Sequence, residues 1–270
     1  MEEKIKKLKE ILKSYESVIV GFSGGVDSTI LCYFAHLVLQ DKFLAVTANS
    51  ETITTAELEE AKKIAETFKW PHLIVESDEL KYVEFTNNPK DKCKWCKDIR
   101  FKQIIKIAEQ KGYRYVASGD NIDDLQDYRP GLKHAHSLGI KSPLLESGIT
   151  KNEIYSLARE LNMPNCNKPA NPCLASRIPY GIKITPENLK MISDAEKFLK
   201  ELGYSPVRIR HHNNLARIEV DKSKIINFVS FHADLVIEKL KEIGYTYVVL
   251  DLQGYRTGSL NEVILENNEH

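Results

Sequence analysis

The chain has 270 residues and equal numbers of basic and acidic side chains, 38 of each, so its formal net charge is zero and a strongly basic coat for nonspecific nucleic-acid binding is excluded. With 42% hydrophobic and 28% charged residues, the composition is that of a globular chain with room for one large domain or two modest ones, not of a disordered, collagen-like or rod-like protein. Five cysteines are too few for a disulfide scaffold at this length, and odd in number, so reduced thiols in a cytoplasmic protein are expected.

In chain order, residues 1–15 place Ile5, Leu8, Ile11, Leu12 and Tyr15 at helical spacing with charges between them, which is unlike the unbroken apolar run of a signal peptide. No stretch reaches the roughly 20 apolar residues that span a bilayer. Ser17–Phe22 reads as a buried strand and Asp27–Leu39 as an apolar helix. Phe43–Thr47, His72–Val75 and Arg114–Ser118 read as further strands, with helices at Thr54–Phe68 and Lys97–Lys111. This alternation predicts an α/β fold: a doubly wound, mainly parallel sheet whose ligands gather at the carboxyl ends of the strands. Five of the ten prolines fall between Met163 and Pro186, so that stretch is expected to be irregular, a linker and a site loop at once. Beyond it, the pattern predicts a helix at Pro186–Leu202 and a hairpin of Val207–Arg210 and Leu215–Val220 turning at residues 211–214. A helix over Ile225–Ile243 and a strand over Tyr247–Leu252 follow. The expected division is residues 1–184 for the main domain and 185–270 for a smaller α/β domain.

Ser23-Gly24-Gly25-Val26-Asp27-Ser28 lies between the first strand and its helix. Two glycines let the backbone turn tightly, the helix N-terminus offers N–H groups and a positive dipole, and both serines carry hydroxyls. This composition suits a phosphate cradle, although the Walker A pattern is absent. Asp27 suits a Mg²⁺ that neutralises the phosphates. A second loop, Gly119-Asp120-Asn121-Ile122-Asp123-Asp124, gathers acids that need a cation, donors or solvent, or that simply cap a helix. Arg129 beside it can pair with a phosphate or carboxylate.

Cys93-Lys94-Trp95-Cys96 stands before a helix, and Cys173 lies in the proline-rich stretch. A lone CxxC is compatible with zinc, a redox pair, an iron–sulfur centre or unrelated free thiols. Three thiolates, Cys93, Cys96 and Cys173, suffice for a 4Fe-4S cluster with one open iron, with Cys166 a rival for the third place. Cys173 beside Arg177 also reads as a nucleophile. Cys32 reads as a small buried hydrophobe. Arg208 and Arg210 alternate on one face of the hairpin and suit an anionic ligand, against the plain reading of a solvated strand; His211 and His212 read as surface histidines of the turn.

The SGGVDS hexapeptide resembles the pyrophosphate loop of the ATP pyrophosphatase (PP-loop) superfamily. Together with GDNIDDLQDYRPG, the KP–PCLASRIPYG stretch, VRIRHHNNLARIEV and LDLQGYRTGSLNE, it makes nearly the whole chain similar to the LarE family of ATP-dependent sulfur transferases. The resemblance implies an adenine nucleotide alpha hydrolase-like fold. It implies that ATP adenylates a carboxylate of a pyridinium dicarboxylate mononucleotide and that sulfur displaces AMP to give a thiocarboxylate for nickel-pincer nucleotide biosynthesis. Ser23, Gly24, Gly25, Asp27, Ser28, Ala48, Gly119, Asn121 and Asp124 would bind ATP and Mg²⁺, while Cys173, Asp27, Ser176 and Arg177 would be catalytic. Arg129, Arg177, Arg208 and Arg210 would hold the substrate. One branch of the family sacrifices its own cysteine at the position of Cys173, and another carries a 4Fe-4S cluster on cysteines matching Cys93, Cys96 and Cys173 that relays sulfide. All three are present here, so the cluster branch is expected. A homo-oligomer is implied, with sulfide or another sulfur donor as partner. A tRNA thiolase of the same superfamily would need an RNA-binding face, which the balanced charge does not suggest. A noncatalytic nucleotide-binding regulator would bind ATP without releasing pyrophosphate.

Overall fold

The computed structural model describes residues 1–125, 130–168, 171–256 and 258–261. Arg129, an expected substrate contact, lies outside the described residues. The chain divides into two compact units: residues 1–82 with 91–171, and residues 83–90 with 172–270.

The helices in chain order are α1 (Glu2–Tyr15), α2 (Val26–Leu39), α3 (Thr55–Thr67), α4 (Val83–Thr86), α5 (Lys92–Lys111), α6 (Pro130–Ser137), α7 (Pro143–Glu146), α8 (Lys151–Glu160), α9 (Pro186–Glu201), α10 (Ile225–Phe231) and α11 (Ala233–Ile243). The strands are β1 (Val18–Gly21), β2 (Phe43–Asn49), β3 (His72–Glu76), β4 (Tyr115–Ala117), β5 (Val207–His212), β6 (Leu215–Val220) and β7 (Tyr247–Leu250).

The first unit is built on a parallel sheet in the order β3-β2-β1-β4. Strand side chains alternate in direction, so each strand feeds two cores. Val18 and Val20 of β1 and Phe43 and Ala45 of β2 join one core with α1, α2 and α3. Ile19, Leu44 and Val46 face the other, with Phe101, Ile104 and Ala108 of α5. Burying each of these Val, Leu, Ile or Phe side chains contributes about 1.5–3 kcal/mol. This is the expected α/β fold, adenine nucleotide alpha hydrolase-like, with helices on both faces. α3 begins with a capping box in which Thr54 Oγ1 accepts from the Glu57 N–H and Glu57 Oε2 accepts from the Thr54 N–H. α8 is an addition to the expected helices; Thr150 and Glu153 start it by the same device.

In the second unit β5 and β6 pair antiparallel and β7 joins β6 in parallel. Val207, Ile209, Ala216, Ile218 and Val220 are buried on the apolar face of this sheet. Arg208 lies opposite Glu219, and Arg210 opposite Arg217, on the other face. Two expectations are corrected. The hairpin strand continues through His212, and His211 is buried, so these histidines are not surface residues of the turn. The expected helix over Ile225–Ile243 is interrupted at His232, whose backbone leaves helical geometry (φ −127°, ψ −4°) while its Nδ1 sits 2.8 Å from Tyr204 Oη.

Candidate functional site

The nucleotide loop sits at the carboxyl end of β1. Gly24 adopts φ +70°, which an L side chain rarely takes, and a Cβ there would lie 3.2 Å from that of Ala61. Gly25 is the N-cap of α2, and among the described residues no side-chain bond caps that helix. Its first N–H groups, which every helix leaves without an intrahelical partner, remain available to an anion. The Ser23 N–H reaches Ser28 Oγ at 3.3 Å, the two serine oxygens lie 3.2 Å apart, and the Gly25 N–H rests on Ser23 Oγ at 3.3 Å. Ser23 is exposed and Ser28 buried.

The second loop packs against this helix start. A Cβ on Gly119 would come within 2.9 Å of the Ser28 nitrogen, so only glycine permits the approach. Asn121 Nδ2 donates to Asp27 Oδ1 at 3.3 Å, and Asp124 Oδ2 accepts from the Asn121 N–H at 2.9 Å. The structure adds a residue that sequence reasoning missed: Lys151 Nζ pairs with Asp27 Oδ2. Lys97 Nζ lies 3.1 Å from Asp120 Oδ1. Ala48 stands near the carboxyl end of β2, beside Val75 of β3.

α5 begins at Lys92, ahead of the expected Lys97, so Cys93 and Cys96 are its second and fifth residues. Their i, i+3 spacing brings both thiols to one side of the helix. Cys96 Sγ lies 3.7 Å from Oε1 of the fully buried Glu79, which is also paired with Arg100. Arg100 Nη2 donates in addition to Ser50 Oγ and Thr52 Oγ1, at 3.0 and 2.8 Å. The thiol pair suits two corners of a cluster. Among the described residues, no group of three or more His, Cys, Asp or Glu is gathered around a cation position. Cys32 is buried in the core, and burial pushes its thiol pKa up, as a packing residue requires. Cys166 packs partly against the same core.

In the second unit Cys173 precedes a short 3-10 turn, Leu174–Arg177. Arg177 is 1% exposed and gives two donors to Glu196 of α9, at 2.9 and 3.1 Å. Its Nη1 reaches the Cys173 carbonyl at 3.1 Å and Ser176 Oγ at 3.0 Å, and bonds the Pro172 carbonyl as well. Arg210 is likewise engaged by its own unit, with Glu219 at 3.0 Å twice, the Ser176 carbonyl at 2.9 Å and Ser259 Oγ at 2.7 Å. Arg208 stacks on Tyr255, 5.2 Å from the ring centre. Burial and the neighbouring Arg177 charge push the Arg208 pKa down, and the Glu196 carboxylate works against them.

The NAD synthase family matches residues 1–173. A pyridinium-3,5-bisthiocarboxylic acid mononucleotide synthase of Lactiplantibacillus plantarum is 38% identical over 94% of this chain and 92% of its own.

The chain belongs to the LarE family.

It is an ATP-using enzyme of the PP-loop superfamily. An uncharacterized protein of Synechocystis is also 38% identical, over 98% of this chain and 99% of its own. A glutamine-hydrolyzing GMP synthase component from Archaeoglobus fulgidus is 26% identical over 74% of this chain and 69% of its own. No helix among the described residues is long and apolar enough to cross a membrane.

Proposed function

We propose that this LarE-family enzyme adenylates a carboxylate of a pyridinium dicarboxylate mononucleotide and replaces the activated oxygen with sulfur, for nickel-pincer nucleotide biosynthesis. The observation that carries this reading is the uncapped start of α2 behind Ser23-Gly24-Gly25, in a chain so similar to the Lactiplantibacillus synthase.

The chemistry divides into two displacements. A carboxylate oxygen attacks the α-phosphorus of ATP, and the bond to the β-phosphate oxygen breaks, releasing pyrophosphate. A sulfide then attacks the acyl carbon, and the bond to AMP breaks, so the original carboxylate oxygen leaves with AMP. The loop amides, Ser23 and Ser28 hold the phosphates while negative charge moves onto the leaving group. Asp27 would hold Mg²⁺ there, and Lys151, displaced from Asp27, adds its positive charge to the same phosphates. Gly119, Asn121 and Asp124 fix the helix start from the second loop, and Ala48 contributes at the end of β2.

Arg208 receives the substrate phosphate, with Arg129 as a further anion contact. Arg177 and Arg210 act beside it chiefly by fixing the Cys173–Ser176 turn through its carbonyls. Cys93, Cys96 and Cys173 would hold a 4Fe-4S cluster, which when bound supplies an open iron able to carry the sulfide. The test is pyrophosphate release with ATP, Mg²⁺ and sulfide: release that requires the pyridinium mononucleotide supports the reading. Release that requires tRNA, or no release at all, overturns it.

A further inference from the structure

Asn165 lies in the segment between α8 and Cys173, far from the nucleotide loop in sequence, and is 2% exposed. Its Nδ2 donates to the Gly24 carbonyl at 2.9 Å and to Thr29 Oγ1 at 2.8 Å. Thr29 Oγ1 donates in turn to the Gly25 carbonyl at 2.9 Å. One side-chain amide thus governs the carbonyls on both sides of Gly25.

The direction of a carbonyl fixes the direction of the N–H across the same peptide. The peptide unit is planar and trans, so its C=O and N–H point opposite ways. With the Gly24 oxygen held against Asn165, the Gly25 N–H points away from Asn165, toward Ser23 Oγ. That bond is long, 3.3 Å, and is readily exchanged for a phosphate oxygen. The peptide lies between two glycines, where rotation meets little steric resistance. If it turned over, a carbonyl oxygen would face the phosphates, and repulsion would replace a hydrogen bond. The loop glycines supply the freedom that the turn needs but cannot choose between the two orientations.

We propose that Asn165 is the positioning residue that holds the Gly24–Gly25 peptide in its phosphate-accepting orientation. It acts through the loop and touches no substrate. The role depends on ATP use, not on the identity of the sulfur acceptor.

The test compares affinities for MgATP and for adenosine, which has no phosphate, by calorimetry. Asn165→Asp keeps the size of the side chain and removes both N–H donors. Thr29→Val keeps its shape and removes the second contact. The expected result is MgATP binding weakened at least tenfold in Asn165→Asp and two- to fivefold in Thr29→Val, with adenosine affinity within twofold of wild type in both. Equal losses for the two ligands, or unchanged MgATP affinity in either variant, would overturn the proposal. If Asn165→Asp fails to fold, Thr29→Val decides alone by the same criterion. Wild-type protein that binds no MgATP would contradict the nucleotide site itself, a separate failure.

Discussion

Arg177 and Glu196 form a two-point ion pair, Nε to Oε1 at 2.9 Å and Nη2 to Oε2 at 3.1 Å, with both side chains almost wholly shielded from solvent. The pair ties the turn after Cys173 to α9. Glu196 Oε1 also accepts from the Ile209 N–H at 3.2 Å, so one carboxylate joins the turn, the helix and β5. Glu196→Ala breaks this buried pair by removing one partner, which costs about 3–5 kcal/mol. Urea unfolding should show that loss. A change below about 1 kcal/mol, the range of exposed pairs, would contradict the burial argument.

Gly119 offers a second test, because its requirement comes from backbone. A Cβ would meet the Ser28 nitrogen at 2.9 Å and the Asp27 carbonyl carbon at 3.1 Å, neither of which can swing aside like a side chain. Gly119→Ala should cost roughly 1–3 kcal/mol through overpacking. Since the displaced atoms belong to the start of α2, MgATP affinity should fall as well. Wild-type stability together with wild-type MgATP affinity would show that the loops do not press on each other.

The histidines of β5 predict a pH dependence. Burial and the adjacent His212 push the His211 pKa down; burial, Arg217 and Arg210 push His212 down. His211 is 1% exposed, with its Nδ1 on Tyr245 Oη at 3.2 Å, and among the described residues its Nε2 has no hydrogen-bond partner to receive an added proton. The unfolded chain then takes up protons first, near the ordinary value of about 6.5. The stability this gives is complete above that pH and is lost as the pH falls through the lower folded-state values. Urea midpoints at pH 7.5 and 5.0 should drop more for wild type than for His211→Gln/His212→Gln. Equal drops would contradict the assignment.

The sheet and most of its helices are legible in the sequence because apolar residues form short unbroken runs, as in Val18–Val20, or recur with helix period, as in Leu8, Leu12 and Tyr15. The nucleotide loop is legible because its composition and its place between strand and helix are both local. What stays hidden depends on partners distant in sequence. Arg177 and Arg210 read as free ligand contacts until Glu196 and Glu219 are seen beside them. Lys151 and Asn165 reach the loop from positions that no short motif links to it. α8 is a different case, because its signal is local: Thr150 and Glu153 repeat the Thr-x-x-Glu capping box that opens α3.

The cysteines separate two sulfur routes. After anaerobic reconstitution, Cys93→Ala and Cys96→Ala should each lose most of the iron and its visible absorption, because each would remove a corner of the proposed three-thiolate site. Unchanged iron content and sulfur transfer in Cys93→Ala would remove the cluster from the account. Intact protein mass after one turnover reports on Cys173: an unchanged mass fits relayed sulfide, and loss of H₂S mass at that residue fits sacrifice of its own sulfur.

The central claim is that a substrate carboxylate is activated by adenylation before sulfur arrives. The most direct measurement is a single turnover with MgATP, sulfide and the pyridinium dicarboxylate mononucleotide labelled with oxygen-18 in its carboxylates, followed by mass spectrometry of both products. The account predicts a thiocarboxylate and AMP that carries the labelled oxygen. Thiocarboxylate formed with unlabelled AMP would contradict it.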